Sequence, residues 1–303
     1  MINSIHGIHF MMPTPFTKKS RIDFDSIDKL VELAINTKCH GIVTMGMMGE
    51  AHRLTENERN DVIKHVSKRV NNRIPITVGV SGESIEIVSQ RIKESNLLDA
   101  NYILCSPPKM IKTNENVLLE FFKGISKNNN LPIVLQDLPQ ETGVNLTAEF
   151  IHKISTKVSQ IKFIKLEDPP TPKKISEILS KTSNKLGIFG GLGGAFLIEE
   201  LMRGAIGTMT GFAYPEILVT TYEEFKKNNI NNAKSLFFKW LPLIRYENQQ
   251  GISLSIRKHI LFRRGIISTP DTRLPTPSID EKTEKELELL LKDMMQTSNY
   301  KTH

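Results

Sequence analysis

Eight short runs rich in β-branched and apolar residues recur along the chain, each followed by an amphipathic stretch. That alternation constrains the fold more than any other feature. The runs are Gly7–Met12, Gly41–Gly46, Ile74–Val80, Asn101–Ser106, Pro132–Leu138, Ile161–Glu167, Leu186–Gly190 and Ala205–Gly211. Strands alternating with helices imply a parallel sheet, and near-continuous apolar runs imply strands covered on both faces. Start signals mark the helices between them. Asp25 precedes Ser26–Thr37, and Thr55 is followed three residues on by Glu58 in a capping box. Ser84 precedes Ile85–Ser95, Asn114 precedes Glu115–Lys127, and Thr147 precedes Ala148–Ser155. Thr171-Pro172 opens a helix through Leu179, and Pro215-Glu216 opens the eighth. Eight such units close naturally into an α/β fold of the (β/α)8 kind, a TIM barrel, which needs about 250 residues. An open doubly wound sheet would ask for a Gly-rich turn after the first strand, and Pro13-Thr14-Pro15 stands there.

The remaining length is helical. Ile230–Glu247, Ser253–Arg264 and Asp280–Thr297 read as helices and the Pro-rich Thr269–Ser278 as a loop. The expected organisation is a barrel over residues 1–225 and a C-terminal helical extension over 226–303, packed on it as one structural domain.

With 39% hydrophobic and 24% charged residues, the chain can bury a core and is not of the disordered class. Cys39 and Cys105 lack CxxC spacing, which argues against a disulfide framework or zinc site and for a reducing, cytoplasmic setting. The start of the chain carries no basic segment before its short apolar run, so no signal peptide is expected. No run approaches the roughly 20 apolar residues of a membrane span. The net charge of +7 is spread as lysines mixed with acids, without a basic block interleaved with aromatics. A solvated surface is therefore expected, with neither nucleic acid nor membrane as partner.

In such a barrel the active site lies at the C-terminal ends of the strands. Side chains alternate along a strand, so Ile161, Phe163 and Lys165 share one face, while Lys162 and Ile164 share the other. Lys165 then meets the barrel mouth, and Lys162 sits at the solvated start of the strand. A buried lysine is unfavourable unless paired or neutral, and a neutral amine is the form that attacks a ketone. The alternative is an ion pair of Lys165 with Glu167 or Glu50 and no chemistry. Gly46-Met47-Met48-Gly49-Glu50 after strand two could present amides to an anion. Gly190-Gly191-Leu192-Gly193-Gly194 after strand seven could do the same at a helix start. Gln136 and Glu141 after strand five, and Thr210 after strand eight, could orient a substrate or cap backbone. No HExxH helix, Walker loop or Ser-His-Asp order occurs. His6, His9, His40 and His52 lack metal-ligand spacing and read as surface or core residues.

At these residues the chain resembles the dihydrodipicolinate synthase / N-acetylneuraminate lyase family. The matching segments are Pro13-Thr14-Pro15-Phe16, Gly46-x-x-Gly49-Glu50, Pro132-Ile133-Val134-Leu135 with Pro139 and Thr142-Gly143, Ile164-Lys165, and Thr272-Arg273-Leu274-Pro275. The resemblance runs from about Gly7 to Leu290 and implies that Lys165 is a Schiff-base lysine. It also implies a homo-oligomer, a tetramer or dimer. Departures bear on the substrate. Two threonines of family synthases are Met47 and Met48 here, the strand-five tyrosine aligns with Gln136, and the tyrosine after strand four aligns near Lys109. The carboxylate-binding arginine aligns with Glu141, where an acidic second substrate would be repelled. These departures argue against dihydrodipicolinate synthase activity. A subgroup that looks like L-2-keto-3-deoxyarabonate dehydratase is more similar, through Val134-Leu135-Gln136-Asp137, Phe163-Ile164-Lys165-Leu166-Glu167, Gly207-Thr208-Met209-Thr210-Gly211-Phe212, Trp240-Leu241-Pro242-Leu243-Ile244 and Glu247-Asn248.

The resemblance implies dehydration of a 2-keto-3-deoxy sugar acid, with Lys165 and Gln136 catalytic. Gly46, Met47, Met48, Gly49, Glu50, Lys109, Glu141, Glu167, Gly191 and Thr210 would line the substrate. No metal or cofactor is expected, because the iminium is itself the electron sink. The acid/base stays open among Glu50, Glu167, Lys109, a substrate oxygen and water. The alternatives are a pyruvate-dependent aldolase or lyase of the dihydrodipicolinate synthase or N-acetylneuraminate lyase type, and an inactive barrel that binds a 2-oxo acid.

Overall fold

The computed structural model describes residues 5–109, 114–127 and 129–296. Residues 1–4 of the expected barrel and 297–303 of the expected tail, including the helix end expected at Thr297, lie outside them. Eight strands pair in chain order, all parallel, and the eighth closes on the first. They are β1 (Gly7–Met11), β2 (Gly41–Thr44), β3 (Ile76–Gly79), β4 (Tyr102–Cys105), β5 (Ile133–Asp137), β6 (Ile161–Leu166), β7 (Gly187–Gly190) and β8 (Gly207–Thr210). Each falls inside its expected run, shortened by one or two residues at an end. After β2, for example, Met45 takes φ 58 and ends the extended backbone.

The helices between them are α1 (Phe24–Asn36), α2 (Glu56–Val70), α3 (Ile85–Leu97), α4 (Glu115–Ser126), α5 (Pro139–Thr142), α6 (Ala148–Lys157), α7 (Thr171–Thr182), α8 (Leu197–Met202) and α9 (Pro215–Lys226). The side chains of Thr55, Ser84, Asn114 and Thr147 each accept from the amide three residues on, as N-caps do. The expected Asp25 cap is corrected to Asp23, which accepts from Ser26 N at 3.1 Å. Asp25 instead lies in the first turn of α1. Among the described residues no helix is long and apolar enough to cross a membrane.

Two layers of core follow from strand alternation. Met11, Val43, Leu104, Val134, Phe163 and Met209 fill the barrel interior. Ile42, Ile103, Leu135, Ile164 and Ile188 pack outward against the helices. The β5–β6 register shifts between Ile133 and Val134 of β5, which pair with Ile161 and Phe163 of β6. Ile161 therefore joins Ile133 in the outer layer, which corrects the expected Ile161–Phe163–Lys165 face, while Phe163 stays inside. From there on Gln136 stands beside Lys165.

The outer layer also holds Glu200 of α8, fully buried, with Oε1 accepting from Thr171 Oγ1 at 2.6 Å. A side chain at Gly190 would collide with its carboxylate. Burial first, and then Glu199 and Glu167, push the Glu200 carboxyl up to about 7. A carboxyl raised on folding binds more protons in the native than in the unfolded state, so stability falls as pH rises from the unfolded value through the folded one. The shift from 4.5 to about 7 corresponds to roughly 3 kcal/mol at full ionisation. Glu200→Gln is expected to remove that part of the loss between pH 5 and 8, read from urea midpoints across the range. An unchanged slope would show that Glu200 ionises freely.

The tail comprises α10 (Ile230–Glu247), α11 (Ser253–Arg263) and α12 (Glu281–Gln296), with α10 on α9 and α12 on α10. Among its polar links to the barrel is Lys258, fully buried, whose Nζ donates to Glu50 Oε1 at 2.6 Å and to the Asp271 carbonyl at 2.8 Å. The Arg273 amide donates to Glu50 Oε2 at 2.9 Å, and its guanidinium pairs with Glu58.

Candidate active site

Lys165 projects into the mouth of the barrel from the end of β6, and Glu167 lies two residues on along the same face. Lys165 Nζ is 2.8 Å from Glu167 Oε2, and the two side chains are 3% and 10% exposed. Gln136, at the end of β5, donates from Nε2 to the same oxygen at 2.8 Å. One carboxylate oxygen thus receives an amine and an amide. Gly191, after β7, makes room for it, since a Cβ there would stand 2.3 Å from Glu167 Cγ. The ion pair foreseen between Lys165 and Glu167 is formed, whereas one with Glu50 is not.

Beside this cluster a cavity of about 300 Å³ opens over the ends of β2 to β5. Gln136 belongs to both the cluster and the cavity wall. Gly46 and Met47 form its β2 side, and Lys109 and Glu141 line it farther out. Lys109 Nζ is 3.9 Å from Glu141 Oε2, and both residues are exposed. Met47–Gly49 make a single 3₁₀ turn closed by Gly49 N to Gly46 O. The amides that begin such a turn have no acceptor within it. Thr14 Oγ1, in the loop after β1, holds the turn through the Gly49 carbonyl at 2.6 Å.

The side chains of three expected contacts are placed elsewhere. Glu50 turns away from the mouth to Lys258, as described above. Thr210 faces the helix layer, because its neighbour Met209 occupies the barrel interior. Met48 crosses the mouth to β8, where a Cβ on Gly211 would meet its Cε at 3.1 Å. Its sulfur lies 3.1 Å from Arg257 Nη1. Arg257 also reaches Glu247 at 3.1 Å and Asn248 at 2.7 Å, and Asn248 donates to the Leu192 carbonyl at 2.6 Å. Burial pushes the Glu247 carboxyl up to about 7 against the pull of Arg257. Behind β5, Asp137 is bound by Lys174 at 2.6 Å, which also holds Asp168 at 2.7 Å. Burial outweighs Lys174 and raises Asp137 to about 6.

Sequence reasoning passed over several cavity residues. Ser81 and Ser106 stand just past the ends of β3 and β4, and the Ser106 amide donates to Ser81 Oγ at 2.9 Å. His52 also lines the wall, and burial with Arg53 and Lys109 nearby lowers its pKa. The strand-end rule that selected Lys165 would have selected both serines. His9 is a core residue inside the barrel, edge-on to Phe189, and burial lowers its pKa to about 3. Among the described residues no three His, Cys, Asp or Glu side chains gather as a metal-binding group.

A closed parallel barrel with a lysine, a carboxylate and an amide bonded together at its C-terminal mouth is an enzyme barrel whose chemistry uses strand-end side chains. The chain belongs to the dihydrodipicolinate synthetase family, whose model matches residues 4–294 and whose members are lyases. It is 26% identical over 285 residues to L-2-keto-3-deoxyarabonate dehydratase of Azospirillum brasilense, covering 93% of this chain and 92% of that one. It is 29% identical over 297 residues to 4-hydroxy-tetrahydrodipicolinate synthase of Karelsulcia muelleri, covering 98% and 100%. The crystal structure of dihydrodipicolinate synthase from Rhodopseudomonas palustris superposes with a TM-score of 0.90 at 32% identity, covering 95% of this chain and 97% of that one.

Proposed function

We propose that the protein dehydrates a 2-keto-3-deoxy sugar acid through a Schiff base on Lys165. The observation that carries this is the cluster itself: Glu167 Oε2 lies 2.8 Å from Lys165 Nζ and accepts from Gln136 Nε2 at the same distance. A carboxylate in contact with the amine can take up the proton that must leave before the amine attacks, and can return it later. Gln136 stands where family synthases carry tyrosine, and an amide can orient but cannot relay a proton. Glu167 is then the acid/base of the cluster, which narrows the candidates left open by the sequence.

The steps follow. Lys165 Nζ adds to the C2 carbonyl, and water leaves to give an iminium. That cation acidifies C3, and Glu167 removes a C3 proton to give the enamine. The enamine electrons expel the C4 hydroxyl, which leaves as water on taking a proton from Glu167. Hydrolysis then frees the unsaturated 2-oxo acid and regenerates the amine, with one water released overall. The substrate carboxylate lies against the Met47 and Met48 amides that open the turn after β2.

The test is borohydride reduction of the wild-type protein with pyruvate, followed by peptide mass mapping. The expected result is a single reduced adduct on Lys165. No adduct in a folded sample would sink the Schiff-base mechanism.

A further inference from the structure

We propose that Asn248, between the tail helices α10 and α11, is a positioning residue for Glu167 and acts through the loop that follows β7. The inference rests on the reading of Glu167 as the acid/base and adds a residue to that machinery.

The loop is strained and bears directly on the carboxylate. Leu192, Gly193 and Gly194 take φ of 45, 69 and 81, three left-handed residues in a row. Glycine adopts that region freely, but for Leu192 it is unfavourable. Such strain persists where the surroundings impose it, and it gathers at functional sites. One residue earlier, Gly191 packs on Glu167, with room for no Cβ between them. A loop that relaxed at Leu192 would move Gly191, and the carboxylate would lose the surface against which it sits.

Two bonds hold the Leu192 carbonyl. Ala195 N donates to it at 3.2 Å from within the turn. Asn248 Nδ2 donates to it at 2.6 Å from the tail. The orientation of that amide is fixed by its other end. A guanidinium only donates, so Oδ1 faces Arg257 Nη2 at 2.7 Å and Nδ2 is left for the loop. Arg257 is anchored in turn by Glu247, fully buried, at 3.1 Å. Gly193 admits the amide, since a Cβ there would stand 2.1 Å from Asn248 Oδ1. A chain of bonds thus runs from Glu247 through Arg257 and Asn248 to the backbone against Glu167. A reacting group must be held to within about half an ångström, and outer contacts of this kind do so. Asn248 reaches the carboxylate through this backbone, which makes its role one of positioning.

The experiment reads the two halves of the mechanism separately, with pyruvate as the probe. Borohydride trapping reports addition by Lys165. Deuterium uptake at the pyruvate methyl group in heavy water, followed by proton NMR, reports removal of a C3 proton by Glu167 and its return. Asn248→Asp keeps the bond from Arg257 but offers no donor to the Leu192 carbonyl, and Asn248→Ala drops both. Both variants are expected to trap pyruvate on Lys165. Their exchange is expected to slow by about tenfold to a hundredfold, the scale on which a misplaced group loses rate. On a Glu167→Gln background, Asn248→Asp is expected to slow exchange by less than about twofold more, because residues that act as a unit are not additive. Urea midpoints fix the conditions in which each protein is folded. Exchange at the wild-type rate in folded Asn248→Asp and Asn248→Ala overturns the proposal. Equal slowing on both backgrounds overturns it too, because the asparagine would then act independently of Glu167. If Glu167→Gln itself exchanges at the wild-type rate, the acid/base assignment falls and takes the proposal with it. If the wild type traps no pyruvate, the Schiff-base reading beneath both falls.

Discussion

Lys165→Ala is expected to lose the reducible pyruvate adduct completely and to lower turnover of a keto-deoxy sugar acid by roughly four orders of magnitude or more, the scale on which removal of a covalent nucleophile acts. Loss of the lysine alone does not distinguish a nucleophile from a residue that merely holds Glu167. Glu167→Gln makes the distinction. Glutamine preserves the shape beside Gly191 and can still accept from Lys165 Nζ, which lies 2.8 Å from the native carboxylate. It cannot carry a proton. Adduct formation should therefore persist, though slower, while kcat for dehydration falls by about 10²–10⁴, the usual worth of a positioned acid/base. A loss below tenfold in Glu167→Gln would return the proton transfers to water or a substrate oxygen and leave the carboxylate as a simple counter-ion. Each change also takes one charge out of a buried pair and leaves the other with neutral partners only. Both variants are therefore expected to lose about 3–5 kcal/mol of stability, read from urea midpoints, and their activities are compared where each is folded.

The fold was legible because its signals are local. Caps such as Thr55 with Glu58 and the apolar runs repeat at spacings that a few residues define. The inner face at the end of β6 was legible for the same reason: Lys165 and Glu167 are two apart at a strand end. Where a strand is buried on both faces, as β8 is with its two threonines, polarity no longer marks which side is inside. Thr210 was therefore assigned to the mouth although it faces the helices, and the register shift between β5 and β6 could not be foreseen from Ile161. The fate of Glu50 was hidden for a different reason. It follows a glycine-bearing turn at the mouth, which suggests a ligand, but its partner Lys258 is 208 residues away. Nothing in the local pattern couples the two. Ser81 and Ser106 were within reach of the same strand-end argument, and were missed because serine after a strand reads equally well as a turn.

That distant pair gives an equally large expected effect on stability. Lys258 Nζ, fully buried, is held by Glu50 Oε1 and the Asp271 carbonyl, and lies 4.4 Å from the centroid of the Phe16 ring. Lys258→Met keeps the aliphatic bulk but removes the charge, leaving Glu50 with the Arg273 amide and Arg53 at 3.7 Å. Removing one partner of a buried pair costs about 3–5 kcal/mol, because the remaining charge has lost its compensation. If that is the cause, neutralising Glu50 as well should recover part of the loss. The double variant Lys258→Met, Glu50→Gln is expected to be more stable than the sum of the single changes by about 1–3 kcal/mol, the range for residues in direct contact. Urea midpoints on all four proteins give the coupling. Strict additivity would mean that the lysine acts by packing alone. Glu50 directly follows the Met47–Gly49 turn, so a tail that loses its hold on Glu50 also frees the amides assigned to the substrate carboxylate. Lys258→Met should accordingly raise KM for the sugar acid more than it lowers kcat, although Lys258 never meets the substrate.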